Sequence, residues 1–139
     1  MILKNRRIFI VEDNMHNRVI FNVTLSKHGA KVNFDRWGNT AISQMKMMGQ
    51  IDLIILDLML EDGISGFDIF EKIRAIPEFN AVPIIAVSAI EASPAIAKAQ
   101  KMGFSGFIAK PIDDVLFPRQ IASILEGEKL WFAGERSLR

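Results

Sequence analysis

Residue types that bind metal ions and phosphoryl groups lie at the ends of four short apolar segments of this chain. The segments span residues 8–11, 53–56, 84–87 and 107–109, and within two residues of their ends stand Asp13, Asp57, Ser88 and Lys110. If these segments are parallel strands of one sheet, the four side chains emerge at its carboxyl edge, where open α/β sheets bind ligands. Two acids, a hydroxyl and a lysine at that edge favour a site for a divalent metal ion and a phosphoryl group.

Each of these residues has an ordinary structural explanation when it is considered alone. An aspartate such as Asp57 at a strand end is more often a turn or helix-capping residue. Ser88 alone is more often a buried hydroxyl with its hydrogen bond made, and Lys110 alone is usually a solvated lysine. The combination is more informative, because four of five predicted strand ends carry residue types that phosphoryl chemistry uses. The functional interpretation therefore depends on all four residues occurring together at the strand ends.

Strand and helix signals alternate along the chain. Predicted strands cover residues 8–11, 31–34, 52–57, 84–87 and 107–109. Predicted helices follow them at residues 14–28, 39–48, 67–75, 93–102 and 118–126, with Asn14 and Ser93 as N-caps. The nearly continuous apolar run of the third strand is typical of a parallel strand buried on both faces. Five βα units in this order predict a doubly wound three-layer α/β sandwich.

Length and composition predict one compact domain. The 139 residues match a usual domain size, and 50% of them are hydrophobic, enough for a sheet covered on both faces. A net charge of +1 without a basic stripe argues against nucleic acid as a direct partner. The lack of cysteine excludes disulfides, thiolate metal sites and a cysteine nucleophile. No apolar run approaches the ~20 residues of a membrane span, and no secretory signal is visible, so we expect a cytoplasmic protein without a membrane partner.

The ordered set of motifs resembles the receiver domain of two-component response regulators. The matching segments are Val-Glu-Asp-Asn at 11–14, Asp-Leu-Met-Leu at 57–60 with Gly63 and Gly66 behind it, Ser88-Ala89, and Lys-Pro-Ile-Asp at 110–113. The resemblance covers residues 7–125. It implies a flavodoxin-like fold with a five-stranded parallel sheet of order 2-1-3-4-5 and five helices. We accordingly expect a receiver domain over residues 1–126 and a C-terminal tail over residues 127–139.

The resemblance also implies a role for each site residue. The roles are those of a phosphoacceptor, Asp57; an acidic pair that holds Mg²⁺, Glu12 and Asp13; a phosphate-binding lysine, Lys110; and a switch pair, Ser88 and Phe107. Two positions depart from the family pattern. Glu61 stands where many members have proline, which predicts a looser loop after the third strand. Phe107 stands where tyrosine is also common, so a switch here lacks the phenolic hydrogen bond.

Elementary electrostatics explains why such a site needs a metal ion. Asp57 would attack phosphorus as a carboxylate nucleophile. Its acidic neighbours Glu12 and Asp13 repel it, at a cost of about 3 kcal/mol for each pair ~5 Å apart at an effective dielectric constant of about 20. Mg²⁺ relieves this repulsion and holds the phosphoryl oxygens. We expect Asp13, Asp57 and the Met59 backbone carbonyl as direct ligands, with Glu12 acting partly through water.

These expectations define a phosphorylation-dependent signalling switch. It would accept a phosphoryl group on Asp57 from a histidine kinase or phosphotransfer protein, and its catalysis would be limited to its own phosphorylation and dephosphorylation. We expect a monomer or a weak homodimer, or an effector contact, through the fourth helix, strand five and the last helix, where Lys98, Lys101 and Arg119 supply charge. The sequence fits both a single-domain regulator and a piece of a larger protein.

Two other classes of function remain open at this point. A phosphatase of the haloacid dehalogenase type also uses a strand-end aspartate, but it needs a second acid two residues later, and Met59 occupies that position. A pseudo-receiver that binds partners without phosphorylation would be expected to lack the nucleophile or one of the acids, and all three are present. Trp131 and Phe132, after the last predicted helix, either fold back on the domain or form a dimer or interdomain contact.

Overall fold

Six strands and five α-helices alternate in the computed structural model, which describes residues 1–134. The strands are β1 (Arg7–Val11), β2 (Lys31–Asp35), β3 (Leu53–Leu56), β4 (Ile84–Ser88), β5 (Gly106–Ala109) and β6 (Leu130–Phe132). The helices are α1 (Met15–Ser26), α2 (Ala41–Met48), α3 (Gly66–Arg74), α4 (Ala92–Met102) and α5 (Leu116–Leu125). Short 3₁₀ turns at Glu61–Gly63 and Pro77–Phe79 lie on either side of α3.

All neighbouring strands of the sheet run parallel, in the order β2-β1-β3-β4-β5-β6. The predicted doubly wound α/β fold and the order 2-1-3-4-5 of its first five strands are therefore confirmed. The sheet has six strands rather than the predicted five. The order reverses between β1 and β3, which places their carboxyl ends at the position where such sheets bind ligands.

Each face of the sheet packs against its own set of helices. Phe9 and Val11 point to the side covered by α2, α3 and α4, where Met45, Ile69 and Ala95 are buried, as the cluster of core residues shows. Ile8 and Ile10 point to the other side, which α1 and α5 cover with Phe21 and Phe117. Because β1, β3 and β4 are buried on both faces, they form a rigid base for the residues that follow them.

The sixth strand lies within the segment that the sequence predicts as a tail. Trp131 and Phe132 are half-buried and pair with Phe107 and Ile108 of β5, so in the described residues they fold back on the domain. Such a short apolar segment carries too little periodicity to be recognised as a strand. The remainder of the expected tail, residues 135–139, lies outside the described residues.

Two helices begin earlier than the sequence predicts. The fourth helix starts at Ala92, after Glu91, so Ser93 lies inside its first turn and does not cap it. The last helix starts at Leu116 rather than Pro118, because Oδ1 of Asp113 accepts hydrogen bonds from the amides of Val115 and Leu116. None of the helices within residues 1–134 is long and apolar enough to cross a membrane.

Candidate functional site

The carboxyl edge of the sheet gathers the predicted site residues at four strand ends. Glu12 and Asp13 follow β1, Asp57 follows β3, Ser88 ends β4 and Lys110 follows β5. These strands are adjacent in the order β1-β3-β4-β5, so residues from distant parts of the chain meet at one place.

Asp57 lies at the centre of this group and is held by three donors. Its Oδ1 accepts hydrogen bonds from the Ser88 hydroxyl at 2.9 Å and from the Met59 amide at 3.1 Å. Its Oδ2 lies 3.0 Å from Nζ of Lys110. Since the residue is only 7% exposed, these contacts supply the charge compensation that a buried carboxylate requires.

Lys110 joins two acidic residues that would otherwise repel each other. Its Nζ donates to Oε1 of Glu12 at 2.7 Å as well as to Asp57. Burial by itself lowers the pKa of Lys110, but the hydrogen bond to Glu12 and the charge of Asp57 outweigh it and raise the pKa above the usual lysine value. The ammonium group therefore keeps its charge at neutral pH and can contact a phosphate oxygen.

Glu12 is fixed from both its side chain and its backbone. It is 1% exposed, and its Oε2 accepts a hydrogen bond from the Asn14 amide at 3.1 Å. The guanidinium of Arg18 donates to the Glu12 carbonyl at 2.6 Å and stacks over the Phe34 ring at 5.8 Å. Arg18 was not identified from the sequence. Its position one turn into α1 is the only signal, and that position does not distinguish it from a solvated arginine.

Of the three acidic residues at the site, Asp13 is the one that is joined to neither of the others by a hydrogen bond or a shared cation. Its Oδ2 instead accepts a hydrogen bond from the backbone amide of Glu61, at 2.5 Å. Asn14, which follows it, caps α1 as predicted by accepting from the Asn17 amide at 3.0 Å. Asp13 is half-buried at the edge of the site.

The donor set of the site suits Mg²⁺, which prefers carboxylate and carbonyl oxygens and keeps several waters. Glu12, Asp13 and Asp57 supply the carboxylates at adjoining strand ends. Within residues 1–134, however, no three acidic or imidazole side chains are already grouped as metal ligands. The contacts agree with this, since Lys110 lies between Glu12 and Asp57, and Asp13 shares neither a hydrogen bond nor a cation with them. The residue types fit the metal ion, and binding requires the carboxylates to draw together.

The two predicted switch residues are both fully buried. Ser88 is 0% exposed, and besides donating to Asp57 it accepts a 3.4 Å hydrogen bond from the Ile90 amide. Phe107 is also 0% exposed, between its register partners Ala86 in β4 and Trp131 in β6. The Phe107 ring therefore already lies inside the domain, with no inward turn left for it to make. A switch through Phe107 must act by repacking a buried ring.

Several known proteins are similar in sequence to this chain over most of its length. The response regulator PleD of Caulobacter vibrioides is 28% identical over 118 residues, which cover 85% of this chain and 26% of PleD. Histidine kinase 2 of Arabidopsis thaliana is 24% identical, covering 90% of this chain and 12% of the kinase. The chemotaxis protein CheY-3 of Vibrio cholerae is 27% identical, covering 88% of this chain and 94% of CheY-3. The chain thus spans about a quarter of PleD and an eighth of the kinase.

Solved structures show the same fold. A putative response regulator from Chloroflexus aurantiacus superposes with a TM-score of 0.77 at 24% identity, covering 88% of this chain and 99% of that protein. A second structure is the receiver domain of a sensor histidine kinase from Pseudomonas aeruginosa, with a magnesium ion coordinated in its active site cleft. It superposes with a TM-score of 0.71 at 24% identity, covering 89% of this chain and 99% of that domain.

A family model gives the assignment. The model of the response regulator receiver domain matches residues 8–122, which include every strand end of the site and, apart from Arg7, all strands but β6. With the parallel sheet, the strand-end acids and the lysine beside them, this match shows that the chain belongs to the response regulator receiver domain family of two-component signalling.

Proposed function

We propose that this receiver domain accepts a phosphoryl group on Asp57 and acts as a phosphorylation-dependent switch. The observation that carries the proposal is the pair of contacts on the Asp57 carboxylate, where the Ser88 hydroxyl is 2.9 Å from Oδ1 and the Lys110 ammonium 3.0 Å from Oδ2. Both donors are close enough to hydrogen-bond the oxygens of a phosphoryl group attached to Asp57 and to stabilise their negative charge. The buried Asp57 carboxylate is the nucleophile.

The transfer needs little chemistry beyond positioning. A carboxylate oxygen of Asp57 forms the new P–O bond while the P–N bond to the donor's histidine breaks, and the bonding electrons go to the imidazole nitrogen. Charge that develops on the phosphoryl oxygens is stabilised by the Lys110 ammonium and the Ser88 hydroxyl. Reversal of the step, or attack by water, removes the group.

Magnesium is the proposed metal ion of the site. The residues that would hold it are Asp13, Asp57 and the backbone carbonyl of Met59, with Glu12 acting partly through water. When bound, Mg²⁺ offsets the repulsion among the carboxylates and neutralises charge on the transferred group. The protein's own part is to supply the ligands at fixed strand ends and to offset the charges of Glu12 and Asp57 with the Lys110 ammonium.

Receiver domains work with histidine kinases or phosphotransfer proteins, and one of these is the proposed phosphodonor. A groove of about 330 Å³ between α1 and the loop after β5 opens directly beside Lys110. Ile20, Phe21 and Ile112 line it, so it offers an apolar surface beside the lysine that contacts Asp57. This suits a donor that must bring a histidine close to Asp57 and exclude water.

We propose that output goes through the face formed by α4, β6 and α5. The sequence predicts β5 as the edge strand of this face, but β6 covers β5 and takes that place. Two of the three charged residues expected on this face, Lys98 and Arg119, instead make contacts on other sides of their helices. Lys98 reaches back over the Phe67 ring at 4.3 Å, and Arg119 lines a groove with Ile2 and Lys27 on the α1 side. Of the three, only Lys101 on α4 is an exposed charge with neither of these contacts.

The direct test is labelling with a small phosphodonor. The protein is incubated with acetyl phosphate, with Mg²⁺ or with excess chelator, and phosphorylation is measured by intact-protein mass spectrometry. We expect a single phosphoryl group only with Mg²⁺, and none on Asp57→Asn. Asp68→Asn, which changes an exposed aspartate on α3, is the matched control and should label normally.

The same assay separates the alternatives. A pseudo-receiver would not label under any condition. A phosphatase of the haloacid dehalogenase type would turn over a phosphomonoester such as p-nitrophenyl phosphate many times per molecule. Labelling of Asp57→Asn equal to that of the parent protein would disprove the proposal.

A further inference from the structure

The loop after β3 makes one direct contact with the acidic pair after β1. The backbone amide of Glu61 donates to Oδ2 of Asp13 at 2.5 Å, across 48 positions of the chain. A hydrogen bond from an amide to an ionised carboxylate is shorter and stronger than one between neutral groups. The contact therefore fixes the orientation of the Asp13 side chain relative to β3.

The Glu61 amide is free for this contact because of where it lies. Glu61 is the first residue of the 3₁₀ turn Glu61–Gly63, and the first amides of a helical turn have no partner within the turn. Two hydrogen bonds close the loop, from the Leu60 amide to the Ile64 carbonyl at 3.0 Å and from the Ile64 amide to the Glu61 carbonyl at 3.3 Å. Asp62, with φ 61°, and Gly63, with φ 71°, complete the turn. The amide is thus held in place by a closed loop.

The second oxygen of Asp13 has no hydrogen bond within residues 1–134. One oxygen is therefore held while the other remains open at the half-exposed edge of the site. A carboxylate that binds Mg²⁺ needs only one oxygen, and its other oxygen is commonly held by a neighbouring donor.

We propose that the backbone amide of Glu61 is a positioning group for Mg²⁺ binding, which holds Oδ2 of Asp13 and directs its other oxygen to the metal ion. The proposal rests on the magnesium site of the proposed function and assigns a determinant of its affinity. Since the three carboxylates are not already grouped, a ligand fixed in advance by the loop lowers the ordering cost of binding. Position 61 then matters through its amide rather than its side chain.

Proline at position 61 removes this donor with little other change. Leu60 is extended, with φ −103° and ψ 165°, which is the conformation that a residue before proline prefers. Proline is also favoured at the first position of a helical turn. Glu61→Ala keeps the amide and removes the side-chain charge. Because Glu61→Pro and Glu61→Ala are both neutral, their comparison isolates the amide.

The experiment measures the Mg²⁺ dissociation constant by isothermal titration calorimetry in the full chain. We expect Glu61→Pro to bind Mg²⁺ about tenfold more weakly than Glu61→Ala. Equal binding by the two variants would overturn the proposal. Tighter binding by Glu61→Pro would also overturn it, since the amide would then compete with the metal ion for Asp13. If the parent protein bound no Mg²⁺, both the metal site and this role of Glu61 would fall.

A second background shows whether the amide acts through Asp13. In Asp13→Ala, the difference between the proline and alanine variants should vanish, whereas a general disturbance of the loop would persist there.

Denaturant unfolding without Mg²⁺ reports whether Glu61→Pro folds. Should it not fold, replacement of the Glu61 amide by an ester through semisynthesis removes the same donor without the proline ring. The ester should then show the tenfold loss, and parent-like binding by the ester would refute the role.

Discussion

Gly106 in β5 faces the carbonyl oxygen of Leu130 in β6 so closely that a Cβ on Gly106 would lie 2.7 Å from that oxygen. Ile85 and Ile124 would lie 3.3 and 3.4 Å from the same Cβ, so it could not move aside. The sixth strand therefore depends on a residue without a side chain at position 106. Glycine at position 106 is thus what allows β6 to pair with β5 and cover it.

The first prediction is that Gly106→Ala displaces β6. The new methyl group would meet a backbone atom, so the strand must shift, and overpacking of this kind costs about 1–3 kcal/mol. Urea unfolding should show that loss. Amide exchange measured by NMR should accelerate at Leu130, whose N–H donates to the Ser105 carbonyl at 3.2 Å.

Gly38→Ala is the matched control for this change. A Cβ at Gly38 would meet no heavy atom within 4 Å, and that glycine does not have a positive φ. Its stability should stay within a few tenths of a kcal/mol of the parent value. Slow exchange at Leu130 in Gly106→Ala would show that β6 tolerates the extra methyl group.

The central fold could be predicted because its strands are apolar runs with clear ends. The runs that became β1, β3 and β4 are buried on both faces, and nearly continuous hydrophobicity is what that environment demands. The strand β6 could not be predicted in the same way. Its three residues are half-buried, and its place depends on the close approach allowed by Gly106, which is a tertiary relationship.

The part of the candidate site that is formed by side chains could be predicted from the sequence. Asp57, Ser88 and Lys110 stand at strand ends, so a parallel sheet brings them together, and their contacts of 2.9 and 3.0 Å follow. The contact between Glu61 and Asp13 could not be predicted, because its donor is a backbone amide that nearly every residue type possesses. The identity of the residue at position 61 does not indicate that its amide reaches Asp13, because that partner is set by the tertiary structure.

The second prediction concerns the ammonium group between Glu12 and Asp57. Lys110→Met should lower the free energy of unfolding by roughly 3 kcal/mol without Mg²⁺, because it leaves two buried carboxylates uncompensated. Added Mg²⁺ should stabilise this variant more than the parent protein, since the metal ion supplies the missing positive charge. Denaturant unfolding at several Mg²⁺ concentrations measures both effects.

Lys46→Met provides the comparison for Lys110→Met. Lys46 pairs with Glu78 at 3.6 Å, and both side chains are at least half exposed, so the pair contributes little. Its loss should cost well under 1 kcal/mol and should not depend on Mg²⁺. Equal losses in the two variants would indicate that Lys110 is no more than a surface lysine.

The third prediction concerns transmission from Ser88 to α4. A phosphoryl group on Asp57 would draw the Ser88 hydroxyl away from Oδ1 of Asp57, and Phe107 in the neighbouring strand would repack. Phe107 belongs to the same buried cluster as Ala95 and Ala99 of α4. Beryllofluoride with Mg²⁺ should therefore shift the NMR signals of Phe107, of α4 and of the Trp131 indole. Shifts confined to Asp57, Ser88 and Lys110 would show that the signal stays at the site.

The fourth prediction concerns self-association. If phosphorylation strengthens pairing through the α4, β6 and α5 face, Lys101→Glu should reduce the beryllofluoride-dependent increase in mass measured by light scattering. Lys101 is suited to the test because it is exposed on α4, whereas charge reversal at Lys98 would also disturb its contact with Phe67. Lys4→Glu, at an exposed residue outside this face, should have no effect. A tight dimer that forms without beryllofluoride would contradict the prediction.

The fifth prediction concerns the lifetime of the phosphorylated state. Hydrolysis requires a water in line with phosphorus. From the family resemblance we expect the residues two positions after Asp57 and Ser88 to flank that water. These are Met59, which is 56% exposed, and Ile90, which is half-buried against the core. Neither side chain has a nitrogen or oxygen atom that could hold water by a strong hydrogen bond. Self-dephosphorylation should therefore be slow, with reset dependent on a phosphatase or on back-transfer.

Met59→Asn combined with Ile90→Glu tests this explanation directly. The new amide and carboxylate can orient the attacking water, and the phosphoryl lifetime should shorten on the order of tenfold. Met47→Asn, at a methionine that is 84% exposed on α2, controls for the change in polarity and should leave the lifetime unaltered. The decay is followed by mass spectrometry after removal of acetyl phosphate. An unchanged or longer lifetime in the double variant would mean that access of water, rather than its orientation by these two side chains, limits hydrolysis.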